Sequence, residues 1–148
     1  MMTLFSSLLS ASGLSLTEAA EYLDVSRKNV ERWSNSKLEP PEGVIEDMID
    51  LINEQEKSVD KFLSVFKEAH REAQEKSDKK INATIEIGYP TDDYEAQEMG
   101  WPCLSAFKVV IGRIAAECGT SVTIKPRGSN ISNSVAADIN DALKNTSD

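Results

Sequence analysis

Cysteine and histidine are nearly missing from this chain. Cys103 and Cys118 are its only cysteines and His70 its only histidine. Two thiols without CxxC or histidine spacing make neither a disulfide framework nor a zinc site. No cofactor or metal is therefore expected, and a reducing cytoplasm is the expected setting. Catalysis needs a nucleophile or base with partners within reach. His70 stands alone among charged residues, where an exposed position is expected, and the two thiols read as packing groups, so an enzyme is not expected. Asp92, Asp93, Glu95 and Glu98 lack the glycine turn and spacing of a calcium loop and read as a solvated acidic loop. Long hydrophobic runs are missing too. The longest uncharged stretch, Met1 to Thr17, carries five serines and a glycine with no basic head, which fits neither a signal peptide nor a membrane span. There is no internal repeat.

Basic residues are also in short supply: 16 Lys and Arg stand against 25 Asp and Glu, for a net charge of -9 over 148 residues. An acidic body repels nucleic acid unless its few cations are gathered in one place. They are gathered. Residues 1–40 carry -1, residues 41–80 carry -4 and residues 81–148 carry -4, whereas Ser26 to Lys37 alone carries +3, from Arg27, Lys28, Arg32 and Lys37 against Glu31. A basic edge on an acidic body favours site-specific over indiscriminate binding.

That basic edge belongs to the stretch Leu16 to Asn35, LTEAAEYLDVSRKNVERWSN. Its apolar residues fall at Leu16, Ala19, Leu23, Val25, Val30 and Trp33, a spacing that predicts two short helices crossing at a tight turn. Ala20 is small where the helices approach. Ser15 with Glu18 forms a capping box that starts the first helix at Leu16. Asp24 stands where the turn calls for positive φ, which Asp tolerates at modest cost. Ser26 caps the second helix, which runs to about Ser34. Arg27, Lys28, Asn29 and Arg32 then remain outside the core as donors able to reach base edges, with Thr17, Ser26 and Lys37 placed for phosphates. Glu31 reads as a partner for a neighbouring base or a solvent-facing residue. Together these residues read as a DNA-reading helix-turn-helix.

Around it, Thr3 to Ala11 predicts a first helix with Leu4, Phe5, Leu8 and Leu9 on one face, closed by Gly13. After Pro40 and Pro41 an apolar series at Ile45, Met48, Ile52, Val59, Phe62, Phe66, Ala69 and Ala73 predicts a long helix, or two in line. Gln55 is the only polar member of that series. It either packs within the chain or supplies a dimer contact, and it ends in the polar stretch Glu75 to Lys80. A strand follows from Ile81 to Gly88, by its period of two, then a loop or short helical turn over Thr91 to Gly100. Next come an apolar helix from Pro102 to about Glu117 stopped by Gly119, a short strand Val122 to Lys125, and a last amphipathic helix over Ser134 to Lys144. Two short strands make no stable sheet alone, so pairing across a dimer or packing on the long helix is expected. The fold class is mainly α: a helix-turn-helix bundle over residues 1–56, a helical connector over 57–80 and a small α+β dimerisation domain over 81–148.

The stretch VSRKNVERWSNSKLEPP resembles the helix-turn-helix core of the lambda repressor and Cro-like class, over roughly Thr3 to Ile52. That class commonly closes its recognition helix with a W-E-N-G-K-like string before a Pro-marked fourth helix; here the string is Trp33-Ser34-Asn35-Ser36-Lys37, without the Glu and Gly. The remainder is similar, more loosely, to anti-CRISPR-associated and related phage- and plasmid-borne repressors, which place a long helix, a strand, a loop and a helix entered through a Trp after the reading head. In that group the second half forms the dimer. The resemblance implies the same here, with Ile85, Ile87, Trp101, Phe107, Val110, Ile111 and Ile114 as contact residues. It implies a homodimeric, autoregulatory repressor of double-stranded operator DNA, with half-sites about 34 Å apart or a multiple of that. The alternative is the antitoxin of a toxin-antitoxin pair, whose acidic second half meets a basic protein partner. No membrane partner is expected.

Overall fold

Thr3 sets where the first helix starts. In a computed structural model of the chain, which describes residues 2–80 and 84–128, its hydroxyl accepts the Ser6 N–H at 2.9 Å while the Ser6 hydroxyl takes the Thr3 N–H. Helix α1, Leu4–Ser12, follows and ends on Gly13 at φ 77°. Phe5 points inward and meets Trp33 edge to face, ring centroids 5.6 Å apart. Leu8 and Leu9 are half-buried, but Leu4 stays 65% exposed. The expected face of three leucines and one phenylalanine is thus narrower, because Leu4 sits on the first turn, ahead of the surface that α1 covers.

Helices α2, Leu16–Leu23, and α3, Arg27–Ser34, are short and joined by Asp24, Val25 and Ser26. Helix α4, Glu42–Glu75, runs unbroken for 34 residues, about 50 Å at 1.5 Å per residue. The division expected at residue 56 falls inside it, so the stretch 57–75 is the second half of one helix. Met48, Leu51, Gln55, Ser58, Val59 and Phe62 make its buried stripe, packed against α1 on one side and against a later helix on the other.

Strand β1, Ile85–Tyr89, is followed by helix α5, Asp93–Glu98, helix α6, Leu104–Cys118, a 3-10 turn at Gly119–Ser121 and strand β2, Val122–Pro126. The two strands pair with each other in parallel, Ile85 beside Val122 through Tyr89 beside Pro126. Parallel neighbours need a helical crossover, and α5 with α6 supplies it within the chain. Ile85 and Ile87 of β1 share one buried cluster with Phe107, Val110 and Ile114 of α6 and with Met48, Val59 and Phe62 of α4. The small sheet is therefore held by its own crossover helix. Residues 81–83 of the expected first strand and the expected helix Ser134 to Lys144 lie outside the described residues.

The acidic stretch before α6 is a set of caps. Asp92 accepts the Glu95 N–H at 2.8 Å to start α5, Glu95 folds back onto the Thr91 N–H, and Asp93 accepts the Leu104 N–H at 2.9 Å at the head of α6. Carboxylates at helix N-termini satisfy orphan amides and complement the helix dipole. Asp92, Asp93 and Glu98 stay exposed, as expected of a solvated acidic stretch, and the caps are added to that exposure.

Candidate nucleic-acid interface

The α2–α3 pair is built by local chemistry. Ser15 accepts the Glu18 N–H at 3.1 Å, and Glu18 accepts the Ser15 N–H at 3.0 Å, a complete capping box. Asp24 takes φ 55° and ψ 50°, the left-handed conformation its position calls for, and the Val25 N–H returns to the Ala20 carbonyl at 3.0 Å. Ser26 accepts the Asn29 N–H at 3.2 Å and caps α3. Ala19, Ala20, Val30 and Trp33 are buried between the helices and the rest of the core.

With those residues inward, Arg27, Lys28, Glu31 and Arg32 occupy the outer arc of α3 and are exposed. Lys28 and Arg32, four apart, share one face of the helix. Arg27 is tied to Glu31 across one turn, Nε to Oε1 3.4 Å. Asn29 lies on the flank and is half-buried, so it reaches outward less than the three cations do. Thr17 in the first turn of α2 and Ser26 at the head of α3 are exposed. Lys37 is exposed beyond the end of α3, where its N–H bonds the Arg32 carbonyl at 3.0 Å. Just before it, Ser36 adopts φ 69°. That is the left-handed backbone for which Gly is the usual residue.

Three contacts fasten α1 and the start of α2 to the second half of the chain. Ser105 in the first turn of α6 donates its hydroxyl to Glu18 Oε2 at 2.9 Å. A Cβ on Gly13 would run into Val109 Cγ2 and lie 3.2 Å from the Ser105 carbonyl, so the α1–α2 junction lies against α6 in a way only glycine permits. Fully buried Gln55 donates both amide hydrogens, to the Ser12 carbonyl at 2.9 Å and the Ala106 carbonyl at 3.0 Å. Gln55 was legible as the polar position in an apolar series. Ser105 and Val109 carried no sequence signal, because their partners lie about ninety residues away.

The apolar set expected to bridge two copies is used differently. Ile85, Ile87, Trp101, Phe107, Val110 and Ile114 are each at most 3% exposed inside one chain. Only Ile111 remains half-buried. Burial that complete leaves no surface for a second copy, so these side chains act in the chain's own core.

The remaining chemistry-bearing residues are Cys103, Cys118 and His70. Burial pushes the Cys103 thiol up to about 11, which keeps it protonated at neutral pH and a poor nucleophile. Burial and nearby Glu117 raise the Cys118 thiol as well. His70 is half-buried beside the Phe66 ring, centroids 6.2 Å apart, rather than exposed. Among the described residues no group of three His, Cys, Asp or Glu side chains is arranged to hold a metal ion, and no helix is long and apolar enough to cross a membrane. No family model, curated protein or solved structure matches the chain.

Proposed function

We propose that the chain is a sequence-specific DNA-binding repressor that works as a homodimer in the cytoplasm, with α2 and α3 as its helix-turn-helix. The observation that carries this is the exposed basic arc of α3, Arg27, Lys28 and Arg32, set opposite buried Val30 and Trp33 on an otherwise acidic protein. Arg and Lys there suit guanine edges and Asn29 suits adenine. Thr17, Ser26 and Lys37 hold phosphates and set register. One basic arc on a body of charge -9 binds weakly by itself, so two copies reading an inverted repeat supply the affinity. With the interior apolar set committed to the core, the two-fold contact falls to the distal turns of α4. There half-buried Leu63, Phe66 and Ala73 continue the apolar series.

The test is binding to the DNA immediately upstream of the gene, searched for an inverted repeat and titrated by fluorescence anisotropy. Arg32→Ala costs about 1–3 kcal/mol on the specific site, whereas Lys37→Ala weakens all sequences alike and lowers the salt slope by about one. Unchanged binding in both variants would sink the assignment. A second reading, an antitoxin that also holds a basic protein partner, draws on the acidic face of α4, where Asp50, Glu54, Glu56 and Asp60 line one shallow groove. A stoichiometric complex with the product of the adjacent gene distinguishes it from a stand-alone repressor.

A further inference from the structure

Beside the C-terminal end of α3 the protein holds a cavity of about 530 Å³, within the size range of small-molecule sites. Trp33 of α3, Leu4 of α1, Ile45 of α4 and Leu38 of the loop between α3 and α4 give it apolar walls, and Glu39 and Glu42 give it two carboxylates. Leu4 and Leu38 are 65% and 45% exposed, so the cavity carries apolar side chains that the fold itself leaves uncovered. Trp33 is only 4% exposed, and its indole N–H has no hydrogen-bond acceptor among the described residues. A buried indole N–H ordinarily finds one. Trp101 is also buried without an acceptor, so an orphan indole by itself marks no site. For Trp33 the cavity and the charge beside it supply what the indole alone does not. Glu39 and Glu42 are exposed, and neither is in an ion pair among the described residues.

We propose that this cavity binds a small organic amine that also carries an accepting oxygen. Its apolar body lies against Leu4, Leu38 and Ile45, its ammonium group meets Glu39 and Glu42, and its oxygen accepts from the Trp33 indole. Charge decides the class. Two carboxylates without a cation of their own repel an anionic ligand and attract a cationic one. Among the described residues no group of three His, Cys, Asp or Glu side chains is arranged to hold a metal ion, and the apolar walls suit a carbon skeleton, so the cation is organic. The indole adds the second demand. It donates only, so a plain hydrocarbon amine leaves it unsatisfied, whereas an amine with an amide, ester or ether oxygen meets both groups. The indole N–H is closed to solvent, and the bond therefore forms as the exposed loop residues 36–39 shift over the ligand. The site stands without the DNA-binding reading, since the ligand is detected at the indole. Only an effect of the ligand on operator affinity, through Trp33 in α3, rests on that reading.

The experiment titrates the isotope-labelled full-length chain with phenylalanine amide and follows both assigned indole N–H signals by NMR, Trp101 serving as the internal control. N-acetylphenylalanine supplies the same body with a carboxylate in place of the ammonium. The expected result is a saturable movement of the Trp33 indole and of the 36–39 amides, with Trp101 still. Its Kd is on the order of 1 mM, what about twelve non-hydrogen atoms reach at modest efficiency. The acid moves neither indole, and Glu39→Gln combined with Glu42→Gln weakens the amide about threefold to tenfold. No saturable movement of Trp33 at about 10 mM amide, movement of both indoles together, equal binding of the acid, or unchanged affinity in the double variant overturns the proposal. A Trp33 signal that moves on dilution of the protein without any amine assigns the cavity to a second copy and overturns it too.

Discussion

Glu18, in the first turn of α2, closes its own capping box with one carboxylate oxygen and accepts the Ser105 hydroxyl with the other, at 2.9 Å across 87 positions of sequence. A local helix start is thereby also a joint between the basic helix pair and α6. Orientation of α3 thus depends on a residue far from it in the chain.

Stability at low pH reports on that joint. Partial burial pushes the Glu18 carboxyl up, but hydrogen bonds from the Ser15 backbone, the Ser105 and Ser15 hydroxyls and the Cys103 thiol outweigh it and hold the group below its ordinary value of 4.5. A carboxylate with a depressed folded pKa contributes stability that is fully present above its unfolded value and is lost as pH falls through its folded value. Urea midpoints measured from pH 7 down to about 3 should therefore fall less steeply for Glu18→Gln than for the natural chain below pH about 4.5. Ser105→Ala should cost about 0.5–1.5 kcal/mol at neutral pH. An acid limb of identical slope in Glu18→Gln removes the carboxylate from the account.

Gln55 is the second joint. Its two donated bonds end on carbonyls of α1 and α6, and Gln55→Leu keeps the volume while leaving both buried acceptors without that donor. The expected loss is about 1–3 kcal/mol, read as a lower denaturant midpoint at unchanged m-value. Gly13→Ala should be costlier still. It combines a φ of 77° with a clash against Val109, so α1 and α6 must separate to admit one methyl group. A Gly13→Ala chain as stable as the natural one would show that the α1–α6 contact is not tight.

Ser36 offers a change in the other direction. A non-glycine residue at φ 69° carries a strain of about 1 kcal/mol that glycine avoids, partly offset by the greater freedom of glycine in the unfolded chain. Ser36→Gly should raise stability by roughly 0.5 kcal/mol without changing DNA affinity. A fall in midpoint would mean that the Ser36 side chain contributes more than its backbone costs.

Glu31 sits on the same arc as the three cations and holds Arg27 at 3.4 Å. An exposed pair of this kind adds little to stability, yet next to a phosphate backbone the carboxylate repels and its partner is occupied. Glu31→Gln should therefore leave Tm nearly unchanged, tighten DNA binding several-fold at low salt and steepen the salt dependence by about one ion. Weaker binding would place Glu31 on a base, accepting from cytosine, in place of an internal pair.

The helix starts, the turns and the basic edge were legible in the amino-acid sequence because each rests on residues within four positions of one another. The Ser15 and Ser26 caps, the left-handed Asp24, the Gly13 stop and the +3 stretch are all of that kind. Period and spacing also marked α4, α6 and both strands, though the cap roles of Asp92, Asp93 and Glu95 were hidden in what reads as a polar loop. Apolar character alone does not say whether a face meets its own chain or another. Ile85, Ile87, Trp101 and Phe107 look the same in sequence whether they form a core or a dimer seam, and only the tertiary structure committed them to the core. The parallel pairing of β1 with β2 and the contacts of Ser105, Val109 and Gln55 were likewise decided there. Each joins residues about forty to ninety positions apart, a separation at which no local preference acts and only the complementary shapes of finished elements select the partner.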